Sequence, residues 1–272
     1  MNSSSSNVPT LTPTTYFRRQ RTLATLIFTA VFALTIGAGA LTRFDVVDMF
    51  TAIPRVAAWM AENLIPDAKS VSRLPRILDT LWDTVLMSIM ASTLSAIAAL
   101  PFALLGSTTT MIHPWVATAA RIVASINRNI PVAAWALIFL LSFGQSQFTG
   151  FLALFFASFG FLTRVYMETI DETSSSSVEA LRATGANWYH VVSQAVMPAS
   201  LPQMISWELF VIETNIRSAT LVGLLTGSGI GFLFDVYYKS LQYESAAMVV
   251  VALVVVVLAI EGISNVVRRR IL

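Results

Sequence analysis

Cysteine is absent from the 272 residues, and only two histidines occur, His113 and His190. The first absence excludes disulfides, thiolate zinc sites and cysteine nucleophiles. The second leaves no pair at metal-ligand spacing. Charge is also scarce, at 12% of residues against ~25% in ordinary soluble domains. No phosphate-cradling G-x-x-x-x-G-K-[ST], no H-E-x-x-H, no G-x-S-x-G and no Gly-rich dinucleotide fingerprint is present. Soluble enzymes, nucleic-acid-binding modules and disordered chains are thereby set aside. What is abundant is apolar: 56% hydrophobic residues and a mean hydropathy of +0.71. This balance predicts an all-α, polytopic membrane protein.

Residues 1–15 are rich in Ser, Thr and Pro and, with the basic residues up to 21, read as a disordered N-terminal tail. From Thr22 to Thr42 no charge interrupts the chain; at ~1.5 Å per residue this run is about 30 Å long, a bilayer core. A signal peptide cut near Ala38-Gly39-Ala40 is the competing reading. Signal cores usually stop at about 15 residues, which favours a retained helix. Residues 22–76 thus comprise a first span and an interfacial segment, with a short helix expected from Pro54 to Leu64. Residues 77–272 form the core. Turn-forming residues at 108–114 and at Gly144-Gln145-Ser146-Gln147 divide its charge-free stretches. Spans are predicted near 82–105, 116–142, 148–167, 204–224 and 245–267. Six spans with basic clusters at both ends (Arg18, Arg19, Arg21; Arg268, Arg269, Arg270) place both termini, and the polar 168–203 loop, in the cytoplasm.

That loop carries Glu179-Ala180-Leu181-Arg182-Ala183-Thr184-Gly185, then nine residues, then Ala195-Val196-Met197-Pro198. Its chemistry predicts a helix from Ser177 to Thr184 stopped by Gly185. A second helix should start from an Asn187 cap and end before Pro198. The pattern resembles the E-A-A-x3-G-x9-I-x-L-P motif of ABC importer permeases. Further on, Glu213-Thr214-Asn215-Ile216-Arg217-Ser218-Ala219-Thr220-Leu221-Val222-Gly223, followed by Gly227-Ser228-Gly229-Ile230-Gly231, resembles phosphonate-type members. It departs from them in a less glycine-rich tail and in Ile126-Asn127-Arg128-Asn129, where an acidic residue is usual.

The resemblance implies a type I ABC importer permease fold in a bacterial inner membrane. It implies a transport subunit for phosphonate, phosphate or phosphite, not an enzyme. Glu179, Ala180, Gly185 and Pro198 would couple to a cytoplasmic ATPase dimer that binds ATP and Mg; this chain itself would hold no cofactor. A second permease copy or a sister permease, and an extracytoplasmic binding protein, would complete the assembly. Methionine or another small solute is the alternative cargo. A secondary carrier is a further alternative, disfavoured because no internal repeat relates the two halves.

Charges inside spans are functional candidates. Glu213 and Arg217 are four apart and share a helix face with Thr220 close by, whereas Glu208 and Asn215 share another. Arg217 with Ser218 and Thr220 suits a tetrahedral oxyanion in transit. A Glu213–Arg217 pair that only joins helices is the equal alternative. Arg121 and Arg128 share a face of the third span. Arg128 is read as a pathway residue and Arg121 as a snorkelling flank. Pro131 should loosen the helix beyond. Gly227–Gly231 reads as a tight loop, His113 as a surface residue, and His190 as an ATPase contact or a surface residue.

Overall fold

The computed structural model describes residues 13–42 and 46–271. The expected tail, up to residue 12, lies outside the described residues. The chain divides into two compact units at Glu62/Asn63. In the first, α1 (Pro13–Leu41) begins well before Thr22, so residues 13–21 continue the apolar helix. Helix α2 (Val46–Asn63) likewise starts earlier than Pro54, which it contains.

In the second unit a short α3 (Ala68–Ser72) is capped by the Asp67 carboxylate, which accepts from the Ser70 amide at 2.7 Å. That hydrogen bond holds the Asp67 carboxyl below its usual range. Helix α4 (Leu74–Gly106) is the central element. Its buried face alternates small residues with serines: Ser88, Ala91, Ser92, Ser95, Ala99 and Ala103. Small residues let membrane helices approach, because apolar attraction does not separate protein from lipid. The Ser88 and Ser92 hydroxyls donate to carbonyls one turn back, and Ser95 donates to Phe155 of a neighbouring helix at 2.8 Å. No buried hydroxyl of this row is left without a partner.

The predicted third span is broken. Helix α5 (Pro114–Asn129) and helix α6 (Val132–Phe143) meet at 91°. Proline at 131 offers no amide to continue α5, and it holds Ile130 in an extended conformation (φ −89°, ψ 117°). Helix α6 then docks through Trp135 and Phe139, whose rings lie 5.1 and 5.3 Å from Phe156.

Helix α7 (Gln147–Ala183) extends 16 residues past the end predicted at 167, into the first part of the expected loop. Nothing between Gly160 and Gly185 breaks it: there is no proline or glycine, and Thr173 and Ser174 bond back to the helix. Helix α8 (Trp188–Val191) passes through a π-helical turn (Val192–Val196) straight into α9 (Met197–Thr226). Proline at 198 therefore does not end a helix. The wider turn absorbs one extra residue just before a ring that lacks an N–H. After a turn at Gly227 and Ser228, the expected loop becomes α10 (Gly229–Lys239), and α11 (Tyr243–Ile271) ends the chain.

Five described helices are long and apolar enough to cross a membrane, six when the bent α5–α6 pair is counted as one span. At one end of the bundle Arg73 donates to Gln242 and to Ser245 (2.8 Å), tying α4 to α11. At the other, Asp171 accepts from the Ser107 hydroxyl and the Thr108 and Thr109 amides, fixing the α4–α5 turn on α7.

Candidate functional site

Helix α7 closes with a Schellman motif. The Gly185 amide donates to the Arg182 carbonyl at 3.0 Å and the Ala186 amide to Leu181 at 3.3 Å. Gly185 is left-handed (φ +81°), a conformation costly to side chains, yet nothing lies within 4 Å of where a Cβ would project. Asn187 caps α8 by accepting from the His190 amide at 3.0 Å. The resulting knob is held from beneath by two bonds to the α4–α5 turn. Arg182 donates to the Thr109 carbonyl at 2.9 Å and the Trp188 indole to Thr110 at 2.8 Å. Glu179, Ala180, Gly185 and Pro198 are all exposed. The Glu179 side chain has no ion pair or hydrogen bond among the described residues. Both histidines are exposed, His190 against Asn187 and His113 as the cap of α5.

Midway along α9, the Glu213 carboxylate pairs with Arg217 at 2.7 Å, as the four-residue spacing implied. Its second oxygen lies 3.7 Å from Arg268 of α11. The pair thus extends into a three-residue cluster that bridges two helices, with Glu213 10% exposed and Arg217 47% exposed. Asn215 points elsewhere. Its amide donates to Ser92 (2.9 Å) and Ser158 (2.7 Å), joining α9 to α4 and α7 in the buried middle. Asn215 and Ser218 line a cavity of about 230 Å³ with Ser158, Thr214 and Phe210, which Arg217 does not reach. The Thr220 hydroxyl is buried without a hydrogen-bond partner among the described residues. The residues read from the sequence as lining a pathway, Glu213, Asn215, Arg217, Ser218, Thr220 and Arg128, therefore separate into distinct environments.

Arg128 lines a different cavity, of about 320 Å³, between α5 and α7. A Cβ at Gly160 would come within 2.4 Å of the Arg128 amide, so only glycine permits this crossing. The crossing brings Arg164 of α7 alongside Arg128, with Arg121 one face-repeat away. Arg121 is not a snorkelling flank. Its Nε donates to the Gly106 carbonyl at 2.7 Å, since α4 ends there with an unpaired carbonyl.

The model of the family described as binding-protein-dependent transport system inner membrane component matches residues 93–272, well over half of the chain. The chain belongs to that family. As a binding-protein-dependent inner membrane component it is a multi-pass membrane subunit of a transport system, not an enzyme. Among curated relatives, the phosphate-import permease protein PhnE of Mycolicibacterium smegmatis is 32% identical over 69% of this chain, which spans only 35% of that longer protein. The phosphite transport system permease protein PtxC of Stutzerimonas stutzeri is 28% identical, covering 83% of this chain and 81% of the relative. Among solved structures, an inward-facing MetNI methionine ABC transporter superposes with a TM-score of 0.64 at 18% identity, over 72% of this chain and 96% of that one. That likeness establishes the importer permease fold. Of the residues this inner membrane component holds at its polar positions, Arg164 escaped the sequence reading, and Arg268 was read only as part of the terminal basic cluster. Arg268 meets Glu213 on another helix, whereas Arg164 pairs with Glu168 on its own helix and shares a cavity with Arg128 of α5.

Proposed function

We propose that the chain is the permease subunit of an ATP-driven importer that moves phosphate, phosphite or phosphonate delivered by a substrate-binding protein. The observation that carries the coupling half of this reading is the knob at residues 179–187. It is rigidly capped, braced on the α4–α5 turn and exposed, with a Glu179 carboxylate unused by its own chain. Glu179, Ala180, Gly185 and Pro198 dock on an ATPase dimer, where ATP and Mg bind. Closure of that dimer draws the knobs of two permeases, identical or sister chains, together and opens the outer mouth. Both termini and the knob then face the cytoplasm, where the arginines at both ends belong.

The cargo half is supported by relatives named for phosphate and phosphite transport and by the residue types at the polar positions. Asn215, Ser218 and Thr220 supply neutral donors along the path, and Arg217 and Arg128 supply cationic ones. Glu213 tempers Arg217, so the ion is held weakly enough to leave. High affinity resides in the binding protein.

The test is uptake in a host lacking its own phosphorus importers, supplied with this chain, its ATPase and its binding protein. Accumulation of radiolabelled phosphate, phosphite or methylphosphonate in the cells is expected, with no methionine uptake. Methionine uptake without any phosphorus oxyanion would overturn the cargo assignment.

A further inference from the structure

The cavity between α5 and α7 concentrates more positive charge than its surroundings neutralise. Arg121, Arg128 and Arg164 all line it, with the Ser125 hydroxyl among them. One carboxylate answers the three guanidiniums: Glu168 accepts from Arg164 Nε at 2.6 Å. Arg121 spends Nε on the Gly106 carbonyl, but its Nη2 is buried without an acceptor among the described residues. Arg128 has no ion pair or hydrogen bond of its side chain among the described residues. Arg128 and Arg164 are exposed at the mouth of the cavity and repel each other and Arg121, while the buried Arg121 Nη2 is a charged donor left unmade, which is costly. Such an arrangement is stable when an anion completes it.

We infer that this cavity is a binding site for a phosphate-class oxyanion, separate from the Asn215–Ser218 cavity in the middle of the bundle. Guanidinium forks match two oxygens of a tetrahedral phosphorus centre at once, which an ammonium does not. The volume, about 320 Å³, is at the low end of the ~300–1,000 Å³ of small-ligand pockets, so it suits an ion or a headgroup. The site is anchored at the end of the bundle that carries the knob, because Arg121 holds the last carbonyl of α4 and the turn that follows receives Arg182 and Trp188. The anion has two sources there, a free phosphate-class solute or the headgroup of an anionic phospholipid. The chemistry is shared; the assignment of this end as cytoplasmic, and of Arg128 to the path, rests on the permease reading.

Two binding measurements on the full permease–ATPase complex, without nucleotide or binding protein, test the inference. Radiolabelled inorganic phosphate is titrated onto complexes in phosphatidylcholine nanodiscs. Separately, native mass spectrometry counts phosphatidylglycerol retained by complexes taken from mixed-lipid discs. Arg128→Gln is the main variant, since Arg128 supports no contact in the fold and the variant should melt as the parent does. Arg164→Gln is the second, and Arg128→Lys keeps charge without the fork. Saturable phosphate binding, weakened about tenfold or more in Arg128→Gln as expected for a lost charge-assisted contact, establishes the site for the free ion. Phosphatidylglycerol retained by the parent and lost from both Gln variants, without phosphate binding, assigns it to lipid. Identical behaviour of parent and variants in both measurements overturns the inference. Binding here alongside failure of phosphorus uptake would refute the cargo assignment alone.

Discussion

Uptake should collapse in Glu179→Lys while the protein still inserts in the membrane at its normal level. Glu179 is exposed on the last turns of α7 and its side chain bonds to nothing described in its own chain. Reversing it therefore removes no intrachain contact, and the fold is indifferent. If the knob docks on an ATPase, the same change sets a cation against the surface that received an anion. A charge deprived of its partner at a buried interface costs ~2–5 kcal/mol, which is about a thirtyfold to several-thousandfold loss of coupling. Gly185→Asp should act alike by a second route. Its left-handed backbone tolerates Asp better than most residues, and no atom lies near the new Cβ. The local fold should survive with a penalty of about 1 kcal/mol, and the added charge meets the partner instead. Parallel measurements of uptake and of ATPase co-purification read this directly. Normal uptake in both variants would remove the coupling role from this segment.

A different kind of loss is expected at Glu213, where stability and transport should fall together. Removing its carboxylate in Glu213→Ala leaves Arg217 and Arg268 facing one another across α9 and α11 without an anion. Breaking a buried pair by deleting one partner costs ~3–5 kcal/mol, and the 47% exposure of Arg217 brings the expected figure to the bottom of that range. Glu213→Gln keeps a hydrogen-bond acceptor for Arg217 and should lose less. The double variant Glu213→Ala, Arg217→Ala should recover part of the melting temperature but not uptake, if Arg217 also serves the passing ion. Thermal unfolding of the purified complex and uptake in the same host separate the two contributions. An unchanged melting temperature in Glu213→Ala would show that the cluster does not join α9 to α11.

Local signals carried well from sequence to structure, and nonlocal ones did not. The Gly185 stop, the Asn187 cap and the Glu213–Arg217 pair each depend on residues within one or two turns, and all three are realised. Pro131 announced a weakness in the third span, but not that α6 would leave at 91° to stack on Phe156 of α7. Pro198 misled because a proline's meaning depends on the turn before it: the π-helical turn at 192–196 lets the helix run through. Arg121 looked like a flank residue because its acceptor, the final carbonyl of α4, is fixed by a helix end elsewhere in the sequence. Arg164 met Arg128 only because Gly160 lets two backbones touch, and no spacing within either helix encodes that crossing.

The most direct test of the central claim is ATPase stimulation in proteoliposomes holding this chain, its ATPase and its binding protein. Phosphate, phosphite, methylphosphonate and methionine would be titrated separately into the compartment that contains the binding protein. Saturable stimulation by one or more of the phosphorus oxyanions, absent with methionine and abolished by Glu179→Lys, is the predicted result. Stimulation by methionine alone would contradict the cargo, and stimulation that survives Glu179→Lys would contradict the coupling.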